Sequence, residues 1–286
     1  MPSEIALSRF HDLDAHVLQA PDGARATVLL HGGHVVSWLP AGQDEQLYLS
    51  ERSAFAEGQA VRGGVPVVFP QFNARGPLQR HGFARNLPWQ LVSAGQAADG
   101  AHAVLQLQDD TATRAAWPHG FRLELRVSVS GQQLSIDLAC TNTGESAFTF
   151  TAALHTYLRV AALDATRLHG LAGLRYWDAV SDATLIQGEE WLLPGADLDR
   201  VYYGIGRELL LQESRDALNR RLFIRQQGFD DAVVWNPGAA KCAALRDMPP
   251  DGYRHMVCVE AACIAKPVTL APQGNWSGRQ QLRLGQ

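Results

Sequence analysis

The chain has 286 residues, 46% hydrophobic and 19% charged, enough to bury a large core in a single domain spanning 1–286. Its formal net charge of -4 argues against a nucleic-acid backbone or an anionic membrane as the main partner. The opening "MPSEIALSRFHDLDAHVLQAPDG" lacks the basic start and apolar stretch of a secretory signal, and no apolar run approaches the about 20 residues of a membrane span. Cys140, Cys242, Cys258 and Cys263 show no paired metal-ligand spacing and sit mostly in apolar segments, so they read as reduced core thiols of a cytoplasmic protein.

In chain order, the first β-rich stretch is "ATVLLHGGHVVSWL", broken at His31–His34. Two histidines there lack a third ligand of suitable spacing, so a turn is the better reading than a metal site. "DEQLYLSERSAF" has room for a helical turn or two. "AVLQLQ" leads to the clearest signal, "FRLELRVSVSGQQLSIDLACTNTG". Apolar residues alternate at Phe121, Leu123, Leu125, Val127 and Val129, pause at Gly131, and resume at Leu134, Ile136, Leu138 and Cys140. Only a period of two puts these side chains on one face, which predicts a half-buried hairpin. "FTFTAALHTYLRV", "RLFIRQ", "DAVVWN" and "HMVCVEAA" continue the style, with "ESRDALNRRL" as a second short helical candidate. Turn residues at short intervals suit antiparallel strands, and the fold expected is an all-β, large antiparallel sandwich.

Three arginines, Arg62, Arg80 and Arg85, flank "VPVVFP" and "NARGPL" and could converge. Arginine's planar fork suits a phosphate, although exposed arginines paired with carboxylates fit the same spacing. His81 could donate to a sugar hydroxyl or bond a backbone carbonyl. His155 interrupts an apolar strand, so it faces solvent or is buried with a partner. Glu260 is one carboxylate in the nearly uniform apolar run "MVCVEAACI". Burying an unpaired charge is costly, and a carboxylate so placed has the profile of a general base. Asp231 opens "DAVVWN" beside Asp230 and reads either as a site residue or as a solvated turn. Glycine-rich phosphate loops, the GxSxG elbow and CxxC are missing from the sequence. A glycosidase carboxylate pair stays open on spacing.

Together, "RGGVPVVFPQF", "LQRHGFARNLPW", "ALHTYLRV", "DDAVVWNPG" and "MVCVEAA" resemble, in order and spacing, the aldose 1-epimerase superfamily, and more narrowly its glucose-6-phosphate 1-epimerases. The resemblance implies a galactose-mutarotase-like supersandwich whose concave face holds the sugar. It implies His155 as general acid and Glu260 as general base. It also implies Asp231 on sugar hydroxyls, Arg62 and Arg85 on the phosphate, and His81 in the pocket. Arg80 stands where relatives often have glutamine or a small residue, so either Arg80 adds a cation or Gln79 supplies a neutral contact. The expectation is a monomeric enzyme without metal or cofactor that interconverts the anomers of a hexose 6-phosphate. An epimerase of unphosphorylated sugars and a non-catalytic carbohydrate-binding module are the alternatives.

Overall fold

The computed structural model describes residues 7–195, 197–215 and 218–285. Among them, Ser8–Phe10, Leu13–Gln19, Arg25–Leu29 and His34–Leu39 form a four-stranded antiparallel sheet in chain order. A nine-stranded sheet runs Trp191–Leu192, Thr166–His169, Leu209–Arg215, Leu218–Gln227, Asn275–Leu284, Gln133–Asn142, Phe121–Ser130, Gly100–Gln108, Gln90–Ala97. An eight-stranded sheet runs Ala183–Ile186, Arg175–Asp178, Leu198–Tyr203, Asp231–Asn236, Met256–Leu270, Phe148–Leu154, Val67–Val68, with Tyr157–Arg159 also paired to Met256–Leu270. The architecture is thus the antiparallel β-sandwich that the alternation predicted.

The Phe121–Asn142 hairpin explains the main core. Leu123 opposes Cys140, Leu125 opposes Leu138 and Val127 opposes Ile136, with Gly131 at φ +51° in the turn. This apolar face packs on Phe150, Leu154, Val257, Val259 and Ala261 of the eight-stranded sheet. Full burial of each such aliphatic side chain contributes about 1.5–3 kcal/mol. All four cysteines are free and buried.

Both helical expectations give way to extended chain. In "DEQLYLSERSAF", Leu47 bridges Leu158 and Leu49 bridges Gly63, so the segment runs as an irregular strand along its neighbours. "ESRDALNRRL" falls in a hairpin, where Glu213 opposes Arg220 and Ser214 opposes Asn219; Asp216 and Ala217 lie outside the described residues. A period of two already runs through Leu209, Leu211, Leu222 and Ile224, all buried, and that longer pattern wins over local helix propensity. The two α-helices described are Thr111–Ala116, started by an Asp110–Thr113 capping box, and Gly238–Ala244.

Met256–Leu270 decides where function can sit. Val257, Val259 and Ala261 belong to the main core, so period two turns Cys258, Glu260 and Ala262 to the other face of the sheet. On that outer face Trp177, Val201, Val233 and Glu260 stand in register across adjacent strands. Side chains from the segment between Arg62 and Arg85, together with Leu245, wall part of it in.

Candidate active site

The outer face holds a cleft of about 130 Å³ whose lining includes Arg62, Arg80, His81, Arg85, His155, Asp199, Trp235 and Glu260. Glu260 stands on its floor at 1% exposure. His155 arrives where the ladder breaks after Leu154: its own N–H donates to the Pro66 carbonyl, and the Tyr157 N–H donates to that of Gly64. Phe150, Ala152 and Leu154 face the core, so period two turns His155, like Ala153, to the outer face over the strand pair.

His155 Nδ1 is 3.2 Å from Glu260 Oε1. That contact is too poorly aligned for a hydrogen bond, so Nδ1 lacks a partner, and so does the buried Glu260 Oε2. Burial pushes the Glu260 carboxyl well above its usual range, with Asp199 adding to it. Burial also pulls His155 well below 6.5, helped by His81, Arg85 and Arg62. Both directions favour the uncharged forms, a neutral carboxyl beside a neutral imidazole.

His81 packs edge-on to His155, with ring centroids 5.4 Å apart. Its backbone takes φ +68°, held because the His81 N–H donates to the Asn73 carbonyl while the Asn73 N–H donates to His81 Nδ1. The ring is pulled down to about 3, by burial first and then by Arg85, Arg80 and Arg62. Neutral and accepting at Nδ1, His81 carries its proton on Nε2, a donor for a hydroxyl or oxyanion.

The three arginines converge as the spacing allowed, but not equally free. Arg62 Nε and Nη2 lie 3.1 and 3.0 Å from Asp247 Oδ2, and Nη1 donates to the Tyr157 hydroxyl at 3.0 Å. Arg85 Nη2 donates to the Arg80 carbonyl, leaving Nε buried without a partner. Arg80 is exposed and lines the cleft, whereas Gln79 is not among its lining residues.

The histidines of "HGGH" support Arg62 from beneath. His31 Nε2 faces the Gln59 carbonyl and His34 Nε2 faces that of Gly63, both at 2.7 Å, so each nitrogen must be the protonated one and donates. The Gln59–Gly63 segment is pinned at both ends. Gly63 and Gly64 are required by close approach, since a Cβ would come within 2.4 Å of the Tyr48 carbonyl oxygen at the first and 2.3 Å of the Val35 carbonyl oxygen at the second. The motif is a turn with a bracing role.

Asp231 is not brought into the cleft. It shares a face with Val233 and Trp235, but at the far end of the strand, where its Oδ2 accepts from the Ile264 and Ala265 N–H groups at 2.9 and 2.7 Å. The acid in the cleft is Asp199, which sequence reasoning missed. It lies opposite Trp235, and burial pushes its carboxyl up. Its signal was phase: Asp199 is two residues from Val201, on the outer face, while Leu198 and Tyr202 join the core.

His155, Cys258 and Glu260 place one potential metal-ligand atom each within 4.8 Å of one another. The donor set does not favour a cation. Burial raises the Cys258 thiol well above its usual range, and Arg62 and Arg85 add positive charge beside the group.

A family described as aldose 1-epimerase matches residues 14–283. A protein of Escherichia coli (strain K12), provisionally named glucose-6-phosphate 1-epimerase, is 40% identical over 89% of this chain and 84% of its own length. A relative from Cenchrus ciliaris with the same provisional name is 33% identical over 93% of this chain and 83% of its own. Among solved structures, a provisionally named mutarotase, YeaD from Salmonella typhimurium, superposes with a TM-score of 0.90 at 32% identity, covering 98% of this chain and 93% of that one. A galactose mutarotase-like protein from Clostridium acetobutylicum shares the fold at 14% identity, with a TM-score of 0.78 over 98% of each chain.

Proposed function

This chain belongs to the aldose 1-epimerase family, and from that premise we propose that it interconverts the α and β anomers of a D-hexose 6-phosphate, glucose 6-phosphate foremost. One observation carries the reading: a buried His155–Glu260 pair 3.2 Å apart forms the floor of a cleft whose walls bring Arg62, Arg80 and Arg85 together. The relatives' names point to the same substrate.

Anomer exchange needs a proton taken from the anomeric hydroxyl and one given to the ring oxygen. The bond between the anomeric carbon and the ring oxygen breaks, an aldehyde forms, the end carbon turns, and the ring closes on the other face. The His155–Glu260 pair holds the one proton this requires. Moving it from Glu260 to His155 across their contact produces the carboxylate base and imidazolium acid. A phosphate dianion on the arginines offsets the field of Arg85 and Arg62 on His155 and that of Arg85 and Arg80 on Glu260, so it raises the proton affinity of both members of the pair. His81 and Asp199 supply a donor and an acceptor for the remaining hydroxyls, and phosphate binding fixes the sugar's register instead of taking part in bond exchange.

The reaction calls for no redox step or group transfer, and the same reading takes the protein to be a cytoplasmic monomer. No helix among the described residues is long and apolar enough to cross a membrane. The test is NMR exchange between the anomers of glucose 6-phosphate, with and without protein, beside free glucose. Faster exchange for the phosphate supports the reading. Acceleration of free glucose to the same extent would make it an epimerase of unphosphorylated sugars, and binding without acceleration would make it a carbohydrate-binding module.

A further inference from the structure

Tyr157 touches both halves of the cleft. Its ring stacks on the His155 imidazole, with centroids 4.8 Å apart and planes 10° from parallel, and meets Trp235 edge-on at 6.0 Å. Its hydroxyl accepts from Arg62 Nη1 at 3.0 Å. The side chain is buried at 2% exposure, and its strand pairs Tyr157 with Cys258, two residues before Glu260.

We propose that Tyr157 is a positioning residue that joins phosphate recognition to the acid, holding the Arg62 guanidinium toward the cleft through its hydroxyl and the His155 ring through its face. This deepens the phosphosugar reading and rests on it.

The choice of a phenol is physically specific. Asp247 accepts from Arg62 Nε and pairs with Nη2 at 3.0 Å, and Tyr157 accepts from Nη1, which leaves hydrogens on both terminal nitrogens for a phosphate. Burial pushes the Tyr157 hydroxyl further up, so it stays protonated and orients Arg62 without cancelling its charge. A second carboxylate there would orient the arginine and compete with the phosphate. A phenylalanine would keep the stack and release Nη1.

The experiment compares kcat/KM for glucose 6-phosphate and for free glucose in wild type, Tyr157→Phe, Tyr157→Leu, Arg62→Met and Tyr157→Phe with Arg62→Met. Tyr157→Phe is expected to lower the preference for the phosphate about tenfold, through KM more than kcat, as for one hydrogen bond to a charged group. Tyr157→Leu, which loses the stack as well, lowers kcat for both sugars by about a further tenfold. The double variant has no less preference than Arg62→Met alone, because the hydroxyl acts through that arginine. A preference is a ratio within one sample, so partial misfolding does not move it. Wild-type preference retained in Tyr157→Phe, or a loss that adds in full to that of Arg62→Met, would overturn the inference alone. A wild-type enzyme without phosphate preference would overturn the underlying reading and the inference with it.

Discussion

Asp231 and Glu260 sit on neighbouring strands of one sheet, on the same face, with exposures of 2% and 1%. They are opposite in kind. Asp231 Oδ2 is saturated by the Ile264 and Ala265 N–H groups, where the long strand irregularly passes its end. Glu260 Oε2 meets no donor, and Oε1 faces a misaligned histidine. Glu213, also buried at 1%, goes with Asp231: it accepts from the Ala161 N–H and from Arg220. A buried carboxylate that backbone donors satisfy holds the fold together, and one left unsatisfied beside a cleft is available for proton transfer.

The largest way to break that contrast is to remove each acid in turn. Glu260→Gln is expected to cut kcat for anomer exchange by about 10²–10⁴-fold, the usual range for a lost general acid or base, while the folded state persists. NMR exchange at saturating glucose 6-phosphate reads it, and a rate within about tenfold of wild type would remove Glu260 from the chemistry. Asp231→Ala is expected to do the reverse. It leaves buried N–H groups unpaired at a cost of about 2–4 kcal/mol, seen in urea unfolding, with kcat/KM per folded molecule close to wild type. A selective loss of substrate affinity with unchanged stability would return Asp231 to the binding site.

Next in size is the charged rim. Arg85→Ala removes a guanidinium whose Nε has no partner in the protein, so its KM for glucose 6-phosphate is expected to rise about tenfold to a hundredfold, with free glucose affected far less. Equal effects on the two sugars would show that Arg85 shapes the cleft without reading phosphate.

Sequence patterning made the fold and half of the site legible for one reason, the period of two. Phe121–Cys140 could be read as a hairpin, and Glu260 stood out as a lone acid in an apolar run. What the pattern concealed were partnerships across the chain. Arg62 and Asp247 meet across 185 residues, and Tyr157 looked like one more aromatic in a strand. Asp199 could be picked out only by its phase with Val201, whereas Asp231 was favoured by its strand and lost to two backbone donors it could not advertise. "ESRDALNRRL" failed for a related reason: a short helical window was weighed without the strand alternation on either side of it.

The smallest expected effect uses the proton that Glu260 holds. Its folded carboxyl lies well above the unfolded value near 4.5, so between those limits the folded chain binds more protons than the unfolded chain, and stability falls as pH rises through that window. Glu260→Gln lacks this titration and shares the others, including the depressed His34 and His81, which act in the opposite direction in both proteins. Thermal midpoints of wild type and Glu260→Gln are therefore expected to lie closest below pH 4.5 and to separate as pH rises, the variant becoming the more stable. Midpoints that stay parallel would mean that the Glu260 carboxyl titrates alike in the folded and the unfolded chain. A wild type that gains on the variant with rising pH would mean the arginines hold the carboxylate charged, and the division between satisfied and unsatisfied acids would then rest on charge pairing more than on hydrogen bonds.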